Sequence, residues 1–556
     1  MNSAVPVSGR ELLADAGLRE IPKLLTLQDR NRHSPTYGCF DRNYWHYRVI
    51  DFPSGMAQEF VWPLALANTV DLPGNDFRGR DSIREWVAAG ILYAARTSHA
   101  DGSCDDYFPY ERALGATAFS LLACAEAYRL IGMQSEEALR FFEQRANWLA
   151  HRQETGRLSN HHALVALCLD VVGRLPNTGN FRGARDARIA QLLSWQTSEG
   201  WFPEYEAFDP GYDTLTLSCL ARLHQDEPNE RLAEAIRSSV SLLAHFVHPD
   251  GSFGGAYGSR NTYNFFPHGF ELAGRWIPEA LAINDRFFAG LREGRAPCYS
   301  DDRIIGHHAW NYMLAARDHV SERPNGGASS REPVQDGGVT GAPPSIVGAP
   351  ARIELKKAGI VIDRRGATEL YIALNKGGVF KLFRNGQLIL SDTGVSLRVR
   401  RGTKLKTAVG HLIDDYDRHI EKDEISVRGT MGWAKESRMT PLRFIVLRLM
   451  NLTFGRIAPN LIRALLQKIL ITGKETAPFR FERKLQWDGS RWKIVDRIEA
   501  EKWRDVEAAA IGPDQTSIYV AMSRTFQLEQ LQPWLDLTEK VRLLKDGEPL
   551  IVERSV

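Results

Sequence analysis

The chain has 556 residues, of which 43% are apolar and 25% charged, and its formal net charge is +2. Single hydrophobic cores stop growing near ~250–300 residues, so this length predicts at least two domains. The near-balanced charge excludes a polybasic coat or acidic tail, and with it a general nucleic-acid binder; no apolar run reaches the ~18–20 residues of a membrane-spanning helix.

The first residues, MNSAVPVSGRELLADAG, lack the charged start and apolar core of a secretory signal, so the expected compartment is the cytoplasm, at most peripheral to the inner membrane. Residues 31–59 are dense in Arg, Tyr, Trp and His. Within them Tyr44, Trp45 and His46 are candidates for lining a cleft, and a stapling arm is the alternative reading. Apolar residues then recur at three- and four-residue steps over 113–132, 161–175, 214–225 and 231–247, which predicts helices. Glycine-containing turns separate them, starting at Asp101 (DGSCDDYFPYE), Glu154 (ETGRLSNHH), Ser198 (SEGWFPEYE) and Pro249 (PDGSFGGAYG). Such a recurrence suits stacked units of ~20–50 residues. It predicts an α/α toroid over 1–322, an incomplete barrel of helix hairpins whose loops line a cleft on one face. The six cysteines (Cys39, Cys104, Cys124, Cys168, Cys219 and Cys298) form no CxxC pair, so buried thiols are expected rather than a zinc knuckle.

Residues 323–351 are rich in Gly, Pro and Ser and read as a flexible linker. Beyond them the period changes to two over 353–363, 368–374, 379–391, 424–433, 480–500 and 517–529, broken at Asn-Gly and Asp-Gly turns. This predicts an antiparallel β-sandwich over 352–556, making the chain an α+β multidomain protein. Residues 437–474 interrupt it with no Asp or Glu and with Arg438, Arg443, Arg448, Arg456, Arg463, Lys468 and Lys474 among apolar residues. They read first as a helical insertion that packs its apolar face on the sheet. The alternative is a cationic amphipathic patch for peripheral contact with an anionic membrane.

Two segments carry the strongest chemical signal. LSNHHAL (158–164) puts Asn160, His161 and His162 at a helix start, where Asn160 is placed to cap. GWFPEYEAFDPGYDTLTL (200–217) puts Glu204 and Tyr212 at the next analogous junction. Equivalent loops of adjacent hairpins share one rim, so these residues are expected to converge. A third segment, GGAYGSRNTYNFFPHGFE, adds Tyr257, Arg260, Asn261, Tyr263, Asn264 and His268. Aromatic faces and arginine suit an acidic sugar, so Arg260, Asn261, Tyr263 and His268 are expected along the wall, with Tyr263 and His268 as substitutes for Tyr212. His307-His308 and Asp414-Asp415 lack a metal-ligand spacing, and no phosphate-binding glycine motif is present. No cofactor is expected; a structural divalent metal is left open.

These motifs resemble those of the heparinase II/III and alginate-lyase families of α/α-toroid polysaccharide lyases. The points of likeness are Asn160-His161 opening a helix, then Glu199-Gly200-Trp201-Phe202, Glu204 and Gly211-Tyr212. The departures are the doubled histidine and the missing signal peptide. The resemblance implies an N-terminal toroid, a C-terminal antiparallel β domain, and cleavage of an acidic, uronate-containing polysaccharide by β-elimination. It further implies that a β-domain histidine sometimes completes the site, for which His411 is the best match. In such a reaction Asn160 and a histidine neutralise the uronate carboxylate, and Tyr212 or a histidine, its pKa lowered by cationic neighbours, moves the proton.

Other readings stay open at this stage. A uronate C5-epimerase shares the first step. An inverting glycoside hydrolase would use two carboxylates ~6.5–9.5 Å apart, from among Asp105, Asp106, Glu204, Glu206, Asp209 and Asp213. A non-catalytic glycan-binding or assembly factor in polysaccharide biosynthesis would use the basic insertion for membrane contact. A terpene-cyclase-like toroid also carries such turns, but a DDxxD motif is missing.

Overall fold

The computed structural model describes residues 8–154, 156–205, 207–297, 303–323, 352–435, 439–455, 458, 462, 474–513 and 525–556. The expected linker after Arg323, residues 517–524 of the strand expected over 517–529, Glu206, Cys298 and most of the insertion beyond Gly455 lie outside them.

The N-terminal part is a ring of helix hairpins. Val61–Thr69, Leu114–Leu130, Ser159–Gly173, Pro210–Asp226, His268–Ala273 and Ile305–Arg317 form an inner ring. Each packs on the next, and the last packs on the first, where Trp62 and Trp310 stack at 4.4 Å. Asp81–Thr97, Glu136–His151, Arg182–Trp195, Glu230–Leu243 and Pro278–Arg292 lie outside it, and Gly9–Leu18 covers the last inner helix. The sequences explain the two roles. LGATAFSLLACAEAYRL is small or apolar all round and buries fourteen of its seventeen residues, as a helix enclosed by others must. EEALRFFEQRANWLAH keeps one apolar stripe and a charged outer face.

The recurring turns feed the inner helices. Asp101 Oδ1 accepts from Ser103 N (3.1 Å) and Oγ (2.6 Å), and Asp250 Oδ1 accepts from Ser252 N (3.0 Å) and Oγ (2.6 Å). The intervening Gly102 and Gly251 have φ of +87° and +76°. A Cβ there would lie 2.7 Å from Arg145 N and 2.4 Å from Gly290 N. Only glycine allows both the left-handed turn and this approach to the outer helix. The weak repeat in the sequence is thus a docking constraint.

The C-terminal part contains two sheets. β1 (Arg352–Leu355), β2 (Ile360–Arg365), β3 (Thr368–Ala373), β4 (Val379–Arg384) and β5 (Gln387–Asp392) form a five-stranded antiparallel meander. β6 (Val395–Arg401), β7 (Lys404–Val409), β8 (Tyr416–Ile420), β9 (Glu424–Trp433), β10 (Thr476–Trp487), β11 (Trp492–Ala500), β12 (Val506–Ile511), β13 (Leu535–Asp536) and β14 (Leu550–Ser555) form the larger sheet. Its order is β13-β12-β6-β7-β9-β10-β11-β14, with β8 on β9. The segment expected as one strand over 353–363 is the β1–β2 hairpin, because Gly359 turns it at φ +64°.

The small sheet is a middle layer. Ile360, Ile362, Tyr371, Ala373, Val379 and Phe383 belong to the toroid core, whereas Val361, Leu370, Ile372, Phe380 and Leu382 belong to the core shared with the large sheet. Near-continuous apolar runs such as TELYIAL follow from burial on both faces. Buried ions tie the layers. Arg483 on β10 donates to Asp496 (2.6 Å), Asp392 (2.9 Å) and the Gly378 carbonyl (3.0 Å). Breaking one partner of such a network strands a charge and costs ~3–5 kcal/mol.

The insertion departs from its first reading. Pro441–Met450 is a helix capped by Thr440, but none of its residues is buried, so its apolar side chains do not pack on the sheet. Arg448 turns toward the toroid, pairing with Asp51.

Because the middle sheet is shared, the two parts are expected to stay together without a covalent link. A protease site introduced within 324–351 should, after cleavage, yield two fragments that co-elute in size-exclusion chromatography at low salt. Elution as separate folded fragments would contradict the shared core.

Candidate active site at the junction of toroid and sheet

The rim where the inner helices begin faces the middle sheet. Glu199 of the Ser198 turn accepts from the backbone N–H of Lys357 (2.8 Å) and Ala358 (3.0 Å), so this turn grips the β1–β2 hairpin. Glu204 follows and is buried. Its Oε1 accepts from Asn160 N at 2.9 Å, which fills a donor left open at the start of Ser159–Gly173. Asn160 is therefore not the cap expected from its position. The helix begins one residue earlier, and the cap comes from the neighbouring hairpin.

Asp209 caps the next inner helix. It accepts from Tyr212 N (3.2 Å), Arg260 N (2.8 Å) and Thr262 Oγ1 (2.5 Å), so one carboxylate fixes both Tyr212 and the Arg260 loop. The Arg260 guanidinium lies 4.3 Å from the Tyr205 ring centroid, and its charge acts on Glu204, Asp209 and Tyr212 together. Asn264 is buried beside Gly211, next to Tyr212.

The electrostatics follow from burial. Glu204 is pushed up to about 7 by burial, opposed by hydrogen bonds from Asn160 and by the His161 and Arg260 charges. Asp213 is raised well above the usual carboxylate range by burial and by repulsion from Glu204 and Asp209. The Tyr212 hydroxyl is also raised. Burial and the charges of Glu204, Asp209 and Tyr205 outweigh Arg260. This corrects the expectation that cationic neighbours lower it, and Tyr212 rests as a protonated phenol.

The β domain contributes from across the junction. Lys376, in the turn between β3 and β4, is buried and donates to the carbonyls of Ala256 (2.5 Å) and Gly258 (2.8 Å) and to Asn261 Oδ1. Burial lowers it to about 7, with Asp209 opposing. His411, just after β7, is buried. Burial and the Lys376 charge hold it down to about 3, with the Thr393 backbone opposing, so the imidazole is neutral. Sequence reasoning missed Lys376. The signal was a lone lysine in an apolar run, LYIALNKGGVF, which reads as a turn residue until the sheet is known to be covered on both faces.

The other predicted residues separate. His161 Nδ1 bonds Glu154 (2.9 Å), its ring lies over Gly115, and it is half-buried at the rim. His162 instead points to the outer helix, 4.5 Å from Trp195 and beside Arg188, and burial holds it down to about 4. The doubled histidine is thus one rim residue and one packing residue. Tyr263 donates to Glu529 (2.8 Å) under Lys381, anchoring the β domain rather than lining a wall with Arg260. His268 bonds Asp318 (2.7 Å) at the end of the last inner helix, so it too leaves the wall. Asn261 is held by Lys376 and positions the loop. Trp45 donates to the Leu27 carbonyl (2.7 Å), Tyr44 is half-buried and His46 exposed, the pattern of a stapling arm. Among the described residues no cluster of metal-ligating side chains occurs.

No protein-family model and no curated protein matches the chain. It is similar in chain path to solved structures of polysaccharide lyases with a toroid and a β domain. Heparinase III aligns at 11% identity over 91% of this chain and 73% of that chain, with a TM-score of 0.46. The Streptomyces coelicolor A3 chondroitin AC lyase in complex with chondroitin sulphate aligns at 11% identity over 92% of this chain and 69% of that chain, with a TM-score of 0.45. A GH127 β-L-arabinofuranosidase from Geobacillus stearothermophilus T6 aligns at 10% identity over 78% of this chain and 93% of that chain, with a TM-score of 0.37.

The raised Glu204 predicts a pH signature. Between its ordinary value near 4.5 and about 7 the unfolded chain ionises this group while the folded chain keeps the proton. Its contribution to stability therefore falls as pH rises through that window and levels off above it. Glu204→Gln should remove this fall, on the order of 3 kcal/mol. The check is the difference between wild-type and variant urea-unfolding curves across the window; a constant difference would contradict the assignment.

Proposed function

We propose that the chain is a polysaccharide lyase that cleaves an acidic, uronate-containing polysaccharide by β-elimination. What supports this reading is a set of buried polar atoms without hydrogen-bond partners beside Tyr212 and the residues that surround it: Asn160 Oδ1, Glu204 Oε2, Arg260 Nε and both side-chain amide atoms of Asn264. Unfilled polar groups are unfavourable in a folded interior and mark places where a ligand completes the bonding.

The C5 proton of a uronate lies α to a carboxylate, and removing it builds charge on that group. In this reading Arg260 and the Asn264 amide nitrogen, both with open donors, meet the carboxylate and hold the developing charge. Neutral His411 is the acceptor for the C5 proton. The electron pair then forms the C4=C5 bond as the C4–O bond breaks, and the Tyr212 phenol gives its proton to the leaving oxygen. Protonation of Glu204 and Asp213 keeps the site from repelling an anionic substrate.

Lyases and glycoside hydrolases are both among the similar solved structures, so the choice rests on the site. Asp105 and Asp209 have their oxygens filled by backbone donors. Asp106 accepts from Ser54 Oγ (2.6 Å) and Glu206 lies outside the described residues, so among the described carboxylates hydrolysis would fall to Glu204 and Asp213.

The test is incubation with a panel of uronate polysaccharides while following the ultraviolet absorbance of the conjugated unsaturated product. Tyr212→Phe should keep the melting temperature and polymer binding and lose turnover by ~10²-fold or more. New reducing ends without absorbance would indicate a hydrolase. Solvent deuterium in an uncut polymer would indicate an epimerase. Binding without either would indicate a glycan-binding factor.

A further inference from the structure

The helix Pro441–Met450 is at odds with the rest of the chain. Its ten residues have no buried member, yet Leu442, Phe444, Ile445, Val446 and Leu449 are 48–71% exposed. Met439, Leu452 and Phe454 beside it are equally open. Leu442, Ile445, Val446, Leu449 and Leu452 follow steps of three and four, so they share one face. Isolated helices this short are marginal in water, and a helix in a folded protein ordinarily gains its stability from burying a face. This one is held by its own Thr440 cap (3.3 Å to Arg443 N) and by Arg448, which pairs with Asp51 and lies over Phe52. Those contacts moor it to the toroid and leave the apolar face outward.

The charges in this stretch of the sequence have one sign. From Ser437 to Lys474 the sequence has seven Arg or Lys residues and no Asp or Glu. Among the described residues, Asp51 pairs with Arg448 and Asp414 with Lys474. An apolar face within a stretch of sequence whose charged residues are all basic matches the interface of an anionic bilayer, where acyl chains take the apolar side chains and headgroups take the basic ones. A partner protein with an apolar groove would satisfy the face but not the unbroken positive charge. At ten residues the helix is too short to cross a bilayer and lies along it. We propose that Pro441–Met450, with Met439, Leu452 and Phe454 beside it, is a membrane-docking surface selective for anionic lipid, holding the toroid at a bilayer.

The test uses the full-length protein and two vesicle preparations, phosphatidylcholine alone and phosphatidylcholine with phosphatidylglycerol. The protein should co-sediment with the anionic vesicles at low salt, be released as salt rises, and ignore the neutral ones. Leu442→Ser/Ile445→Ser/Leu449→Ser should weaken the interaction at least tenfold with an unchanged melting temperature, since these side chains touch no core. Arg443→Glu should weaken it and flatten its salt dependence. Absence of binding at low salt, or equal binding by the triple-serine variant, would overturn the proposal. So would a salt-insensitive dimer of the free protein that the triple-serine variant dissolves without any vesicle binding, because the face would then serve a second copy of the chain.

Discussion

The middle sheet has to bury both of its faces, and the rest of the molecule is arranged around that requirement. One face carries Tyr371, Val379 and Phe383 into the toroid core, and the other carries Leu370, Ile372 and Leu382 into the core of the large sheet. Between the apolar toroid-facing positions stands Lys381, closed off by Glu529 at 2.5 Å. A sheet covered on both sides cannot tilt away from either neighbour without opening a core. The rim loops of the toroid are therefore held at a fixed height against the β3–β4 turn, and Lys376 reaches the carbonyls of Ala256 and Gly258.

That fixed height brings opposite charges together in a dry place. Glu204, Asp209 and Asp213 come from the toroid, Lys376 from the sheet and Arg260 from the loop between them. Glu204 and Asp209 raise Asp213, and burial disfavours the charged forms of Glu204, Asp213 and Lys376. Asp209 is the exception in role: its oxygens are filled by Tyr212, Arg260 and Thr262, making it the positioning residue of the cluster. The β domain holds a neutral imidazole, His411, and the toroid a protonated phenol, Tyr212.

Much of this was readable from the chain itself. Periodicity located the inner helices, since a segment such as Leu114–Leu130 has no polar face to offer water. The Asp-Gly-Ser turns at Asp101 and Asp250 showed the repeat because the same backbone contact recurs in each. The loops of Asn160, Tyr212 and Tyr263 were expected to share one rim because they begin helices in successive hairpins. What sequence could not carry was direction. Adjacent histidines at a helix start point about 100° apart, so His161 and His162 had to separate, and only the fold decides which faces the outer helix. His268 and Tyr263 stand in the same polar-aromatic loop as Arg260, yet Asp318 and Glu529, distant in sequence, draw them elsewhere. Lys376 and the cap from Glu204 depend on contacts between elements far apart in the chain. The exposed helix at Pro441 went against its first reading because amphipathic pattern predicts a buried face without saying what buries it.

Elimination at the junction is tested most directly by the origin of the oxygen in the products. Digestion of a defined uronate oligosaccharide in ¹⁸O-labelled water, followed by mass spectrometry, distinguishes the chemistries without reference to rate. Proton abstraction with loss of the C4 oxygen predicts two fragments whose masses add up to that of the substrate, with no label incorporated by the cleavage step. Fragments heavier by one water, with solvent oxygen at the cleaved bond, would contradict it.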